Sequence, residues 1–412
     1  MSRNFIVRLS AMMFLQYSIS GATAPILSHY LKNQLHFAPL QVGIILAMTP
    51  IAGIIAPLFV VQIANRFLSE TRLLALCHFM GGCVGLALAT QESFWPFLLL
   101  YTLFGVAFMP TFALTNSITL HNVIDAKRDF GRIRFWGPVS WVVVALGFSK
   151  LWLSFEPVDA PGSRLYHAII LGALASFALS AYALTLPKPH AHEAPLPTPG
   201  WSTFRVFLRP GLLALCVITL LNSMIHQFYY YGMGPYLSQI GFKNSNIMPL
   251  MSLGQLGEMA VFWSLGFWMS RFGIKTTLLI GIFAQVLRCL VFATGNPWLT
   301  IAVIPTHGLC FACYFAVAFI YVDTHSGREH RAGAQQLFNS LMLGFGNLFG
   351  NLLAGVLAEY YFDPATRQIA FAPYWMTSAI MATAIGIGLA IFFKESPPLT
   401  SPTEEPGLQQ EP

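Results

Sequence analysis

The chain has 412 residues, 56% of them hydrophobic and 9% charged, with a formal net charge of +6. A soluble domain carries about 25% charged residues, so this composition excludes a water-solvated globule and makes lipid the solvent for much of the chain. The basic balance does not indicate nucleic acid, because the 22 Lys and Arg are spread over short segments and form no clustered basic face.

A bilayer core about 30 Å thick needs ~20 apolar helical residues to cross it. In chain order, twelve such runs lie near 8–31, 40–63, 73–90, 95–119, 133–154, 166–186, 211–237, 247–269, 276–294, 299–322, 333–357 and 373–393. They are predicted to be helices, because only helices and closed barrels satisfy the backbone in lipid. The strict alternation of barrel strands is absent. With the N-terminus placed in the cytoplasm, sixteen of the 22 Lys and Arg fall inside. Five fall outside (Lys32, Lys150, Arg164, Lys243 and Arg367), and Arg288 lies within a span. The positive-inside rule then places both termini in the cytoplasm. The first apolar run is too long for a cleavable leader, and no small-residue cleavage site follows it.

The Pro- and His-bearing stretch "PKPHAHEAPLPTPGWSTFR" reads as an extended cytoplasmic linker over 187–205. It divides the chain into a six-helix half over 1–186 and a second over 206–394, with a disordered tail over 395–412. No other loop is long enough for an extramembrane catalytic core, so an enzyme is not expected. The six cysteines all fall in spans, and Cys310 and Cys313 read as packing residues rather than a metal or redox pair. Gly346 and Gly350 form a GxxxG read as a surface for helix contact inside the protein, and a monomer is expected.

Six plus six spans, a central linker and the turn "GFWMSRFGIK" at 266–275 resemble the major facilitator superfamily. That resemblance implies an all-α membrane protein in which two six-helix halves rock around a central cavity. The segments "FMPTFALTNSI", "GRIRFWGPVSW", "GQLGEMAVFW", "LRCLVFATGNP" and "QFYYYGMGPYL" narrow it further. They resemble the bacterial nucleoside:proton symporter family and the neighbouring phenylpropionate-permease-like group. This similarity covers nearly the whole chain and implies residence in the inner membrane.

Glu258 stands near the middle of its span. An acid there costs ~2.5–3.5 kcal/mol on an insertion scale, and such residues mark solute or proton paths. Burial favours the neutral form of a carboxylic acid, so a group so placed can hold a proton and release it when its surroundings change. Gln255 and Phe262 share its helical face. The competing structural reading pairs Glu258 with the buried Arg288 on the adjacent span. The family resemblance carries Gln227, Gln255, Glu258 and Phe311 onto substrate-contacting positions, with Tyr230 one turn beyond Gln227. Ala312 stands where nucleoside symporters resemble one another in having an acid, so His307, also taken as a substrate contact, is a second candidate for the proton, the competing reading being that it only hydrogen-bonds between helices. The same resemblance moves Arg134, otherwise read as a cytoplasmic-end anchor, into the cavity. Gln16, Tyr17 and Asn116 are weaker candidates for its N-terminal wall, with packing the commoner explanation.

No Walker motif or other ATP-binding pattern is present, and no cofactor or metal is expected. The leading expectation is proton-coupled uptake of a small polar organic solute, most of all a nucleoside. A small aromatic acid or a sugar is the alternative substrate. A non-transporting sensor or scaffold is disfavoured because no sensory or effector domain is present.

Overall fold

The computed structural model describes residues 3–66, 68–123, 126–157, 159–186, 201–327 and 330–395. The linker up to residue 200 and the tail beyond 395 lie outside the described residues. Before the linker run α1 (Arg3–His29), α2 (Pro39–Arg66), α3 (Glu70–Leu88), α4 (Phe94–Asn122), α5 (Ala126–Arg134), α6 (Trp136–Leu151) and α7 (His167–Ala183). After it come α8 (Trp201–Phe207), α9 (Pro210–Gln239), α10 (Asn244–Ala293), α11 (Pro297–Val303) and α12 (Val317–His325). The chain continues with α13 (Arg331–Asn339), α14 (Asn347–Tyr360) and α15 (Phe371–Phe392).

Among the described residues, nine helices are long and apolar enough to cross a membrane, and the shorter Pro39–Ile55 and His167–Ala183 are also apolar. The longest, α10, runs for 50 residues but is interrupted at Gly273, where φ is 75° and ψ 170°. Only glycine adopts that backbone at little cost, so α10 is two arms joined at a turn that Arg271 and Lys275 flank. Two predicted spans are less regular than expected. A 3₁₀ turn at Ile304–Thr306 and a wide π-helical stretch at Leu309–Ala316 separate α11 from α12. A second wide stretch, Ser340–Gly346, separates α13 from α14.

One boundary differs from expectation. Residues 201–205, read as part of an extended linker, belong to helix α8. Its apolar Val206 and Phe207 are buried, and burying that stripe outweighs the polar composition of the segment before it. A small hairpin pairing Phe362–Asp363 with Ile369–Gln368 was also not predicted.

Packing follows the division of the chain. In the first half α1 packs on α6 and α7, α3 on α4 and α7, and α2 on α4. In the second, α10 packs on α15 and on the stretch 309–316, and α9 packs on α14 and α15. Across the two halves α2 meets α14, α6 meets α10 and α1 meets α9. Gly43 makes the first crossing possible, because a Cβ there would stand 2.7 Å from the Asn351 carbonyl oxygen and 2.8 Å from Gly355 Cα.

Between described residues, every hydrogen bond joining the halves lies at one end of the molecule. Tyr231 Oη donates to Pro39 O at 2.7 Å, Ser28 Oγ donates to Tyr231 O and Asn351 Nδ2 donates to Leu46 O at 3.2 Å. His29 Nε2 lies 2.8 Å from Asn244 Oδ1, and Asn244 Nδ2 donates to Glu156 at 2.8 Å. The Leu40 amide donates to Glu359 at 3.0 Å, and Lys32 Nζ donates to Arg367 O at 2.9 Å. This sealed end carries the cation-poor loops.

Deeper in the second half, the first arm of α10 crosses the 297–325 span at backbone contact. A Cβ on Gly308 would overlap the Gly257 carbonyl carbon, and one on Gly257 would overlap the Pro305 carbonyl oxygen. Gly308→Ala is therefore expected to lower stability by about 1–3 kcal/mol through overpacking. Gly388→Ala, whose Cβ meets nothing within 4 Å, should be neutral or gain up to ~1 kcal/mol in helix propensity. Thermal unfolding of both variants in one detergent checks this, and equal melting temperatures would refute close contact at residue 308.

Candidate functional site

The glycine crossing sets the geometry of the site. Gly257 precedes Glu258, and Gly308 follows His307, so bringing the two glycines together brings those side chains to the same level. Gly254, one turn before Glu258, continues the contact, since its Cβ would stand 3.1 Å from His307 Cβ. On the lipid side of this arm Leu256, Trp263 and Phe267 are exposed, Trp263 by 92%. At 100° per residue, that stripe lies roughly 130° around the helix from Gln255, Glu258 and Phe262. Gln255 and Glu258 are half-buried, and neither has a hydrogen bond to another described residue. Their polar atoms are left for water or a solute.

Arg134 ends α5 and faces the same arm of α10 from the other half. It is half-buried, and its guanidinium stacks 4.3 Å over the ring of Tyr17. A Cβ at Gly137 would come within 2.9 Å of Tyr17 and 3.0 Å of Arg134, so a glycine is needed for both side chains to fit. The charge of Arg134 acts on Glu258 across the interface. Gln16 is fully buried, held by Thr111 at 2.8 Å and His78 at 2.9 Å. It packs the first half rather than lining a cavity.

Among the described residues the ion pairs are His121–Glu70, Arg132–Asp129 and Arg331–Asp323; the pair considered between Arg288 and Glu258 is not formed. The two lie on different arms of α10, and Arg288 turns into the second half. Its Nη1 lies 2.6 Å from His307 Nδ1, and its guanidinium stacks 4.4 Å over the ring of Tyr229. The pairing expectation assumed that neighbouring spans present their polar residues to each other, and here they do not.

Around His307 the second half forms an aromatic floor. His307 Nε2 lies 3.4 Å from Tyr230 Oη. The His226 ring stacks on His307 with centroids 5.0 Å apart and lies 6.2 Å from Phe311. Phe311 meets Phe262 edge-on at 6.3 Å. Tyr230, His307, Phe311 and the Phe262 side of α10 therefore converge. Ala312, beside Phe311, is fully buried and offers no titratable group.

Gln227 brings in a residue that sequence reading missed. Its Nε2 donates to Asn347 Oδ1 at 2.8 Å; Ser223 Oγ lies 3.2 Å from the same oxygen and donates to Met342 O at 2.7 Å. Asn347 opens α14 between Gly346 and Gly350. A Cβ on Gly346 would stand 2.6 Å from Ser223, and one on Gly350 2.6 Å from the Met224 carbonyl oxygen. The GxxxG thus packs α14 onto α9 inside the protein, as its spacing suggests. The Asn enclosed in "GNLFG" was the available signal, because a polar residue inside a close-packing motif needs a partner on the opposing helix. With its Nε2 engaged, Gln227 keeps its carbonyl oxygen as a free acceptor.

The whole chain compares with known proteins. A family model described as nucleoside H+ symporter matches residues 3–397. YegT of Escherichia coli is 32% identical over 412 residues, covering 94% of each chain. The xanthosine permease of Escherichia coli is 28% identical, again over 94% of each chain. In fold, the crystal structure of nucleoside transporter NupG superposes with a TM-score of 0.85 at 22% identity, covering 95% of this chain and 100% of that one. From residue 3 to residue 397, this chain belongs to the nucleoside H+ symporter family of multi-pass membrane transporters.

Proposed function

We propose that this chain carries nucleosides into the bacterial cytoplasm together with protons, working as a monomer in the inner membrane with both termini inside. The observation that carries the reading is the pair Gln255 and Glu258. They are half-buried deep in an apolar arm, bonded to no other described residue and opposed by Arg134 from the other half. Family membership supports the reading, as does the likeness to a relative named xanthosine permease.

The two arms of α10, the eight other long spans and the two shorter apolar helices account for twelve crossings. The sealed end holds Lys32, Lys243, Arg164 and Arg367, the cation-poor side that faces outward under the positive-inside rule. The cavity then opens to the cytoplasm. In the site, Gln227 offers a fixed acceptor, Gln255 a free amide, Arg134 a cation, and Phe262 and Phe311 apolar faces for a flat base. Glu258 is the group that gains a proton on loading and loses it on release. His307 lies beside the solute.

Three outcomes check this. In proteoliposomes, labelled nucleosides should accumulate only with an inward proton gradient. Uptake of phenylpropionate or a sugar instead would overturn the substrate class. Glu258→Gln keeps size and hydrogen bonding but cannot titrate, so it should abolish accumulation while leaving exchange between two loaded faces. A variant that still concentrates solute and still acidifies the lumen refutes Glu258 as the carrier of the proton.

Asn347→Leu releases the Gln227 amide and should raise KM by about 5–30-fold, the equivalent of one or two hydrogen bonds, with the maximal rate kept. Asn347→Asp, which still accepts from Gln227, should stay near wild type. Topology is read from a single cysteine at Pro195 in a cysteine-free background. It should react with an impermeant reagent only from the cytoplasmic side.

A further inference from the structure

Arg288 is the least expected residue in the second half. It is 1% exposed, and no carboxylate oxygen of a described residue pairs with it. A buried cation of this kind needs a function or a partner. Its partner is an imidazole, and the chemistry of that contact has a direction. A guanidinium has five donors and no acceptor. His307 Nδ1, 2.6 Å from Arg288 Nη1, must therefore present its lone pair. A neutral imidazole so engaged carries its hydrogen on Nε2. That N–H faces Tyr230 Oη at 3.4 Å, so the phenol oxygen accepts from His307, and the phenol hydrogen is left to point elsewhere.

The exposures run the same way. Arg288 and His307 are each 1% exposed, whereas Tyr230 is partly open. The series starts in the core of the second half and ends at the surface shared with Glu258, whose charge acts on Tyr230. We propose that Arg288 is a positioning residue: it fixes the Nε2–H tautomer of His307, makes Tyr230 a hydrogen-bond donor to the solute, and keeps the imidazole out of proton transfer. This rests on the uptake reading above for its solute, which must offer Tyr230 an acceptor such as a base carbonyl or a ribose hydroxyl.

The groups around the imidazole agree. From α9 it meets His226 with ring centroids 5.0 Å apart, Tyr229 at 4.8 Å and Tyr230 at 5.9 Å. His226 Nδ1 lies 3.4 Å from Gln285 Oε1 on the second arm of α10, an acceptor, so Nδ1 carries a hydrogen. From the first arm of α10, Gly254 contributes only backbone. Cys310 and Phe311 on its own span add no charge. A second proton on His307 would place two cations in direct contact, with no carboxylate of a described residue paired to either. Glu258 is thereby left as the titrating group of the site.

The test reads the tautomer directly. The full chain, labelled with ¹⁵N-histidine and reconstituted in nanodiscs, is compared with His307→Gln to assign the His307 signals. One protonated Nε2 and one unprotonated Nδ1 are expected, unchanged between about pH 5.5 and 8, a range in which a free histidine titrates. Arg288→Lys, which still donates, should keep that pattern. Arg288→Met should lose it, giving mixed tautomers or an imidazolium at the acid end. An imidazolium in the wild type, or a tautomer indifferent to Arg288→Met, overturns the proposal.

Transport supplies a second readout. His307→Gln cannot titrate but keeps an acceptor for Arg288 and a donor for Tyr230, so it should still accumulate solute, with a raised KM but the pH profile of the wild type. His307→Leu should raise KM at least about fivefold, the equivalent of one hydrogen bond. Lost accumulation in His307→Gln with exchange intact would instead make His307 the proton carrier. If the wild type moves no nucleoside, the substrate reading fails, and the resonance spectra still decide the role of Arg288.

Discussion

Two glycines make the candidate site. Where Gly257 meets Gly308, no side chain separates the backbones, and the helices approach as closely as their main chains allow. Without water, helix association in lipid depends on such packing and on polar contacts. The residue after one glycine is Glu258 and the residue before the other is His307, so one close approach fixes the height of both. Several polar and aromatic residues of the second half meet around that level. Arg288 supports His307 from behind, Tyr230 stands before it, and Phe311 and Phe262 close the side.

The first half contributes differently. Its polar interior is largely satisfied within itself, as Gln16 shows by bonding to both Thr111 and His78. At the level of the site it presents a cation across the interface, Arg134, held flat over Tyr17. The polarity of the site is therefore asymmetric. An amide and aromatic surface on one side faces a guanidinium on the other, with an acid between. A carrier that must bind a solute and a proton together has use for that arrangement, because the acid interacts with both walls.

Much of this was legible in the sequence. The helical character of the chain and the placement of its apolar helices follow from apolar runs and short polar interruptions, which lipid enforces with few exceptions. Glu258 and Gln255 stood out as candidates because a polar residue deep in an apolar run is costly and must be explained, and Gln227 entered through the family resemblance. What could not be read was pairing. Arg288 and Glu258 looked like natural partners by charge and adjacency, yet which face each presents depends on the break at Gly273 and the irregular path of the 297–325 span. Asn347 was missed for the same reason: its importance comes from Gln227, 120 residues away. The helix at 201–207 was missed because two apolar residues at its end decide its fate, too few for a periodicity to register.

The sealed end has a further consequence. Its hydrogen bonds are few, and five of the seven involve a backbone carbonyl or a backbone amide (Tyr231 to Pro39, Ser28 to Tyr231, Lys32 to Arg367, Asn351 to Leu46 and Leu40 to Glu359). Water can replace each of these partners with little change in enthalpy, since a protein hydrogen bond is worth only about 0.5–1.5 kcal/mol net. Separating the halves there exchanges one set of hydrogen bonds for another and also opens the close apolar packing of α2 on α14 at Gly43 and Gly355. The open and closed forms then differ by an amount that solute binding can tip either way. Such a seal does not by itself impose a direction. Net flow would follow the concentrations of solute and proton on the two sides, and the same molecule would run backwards when they are reversed.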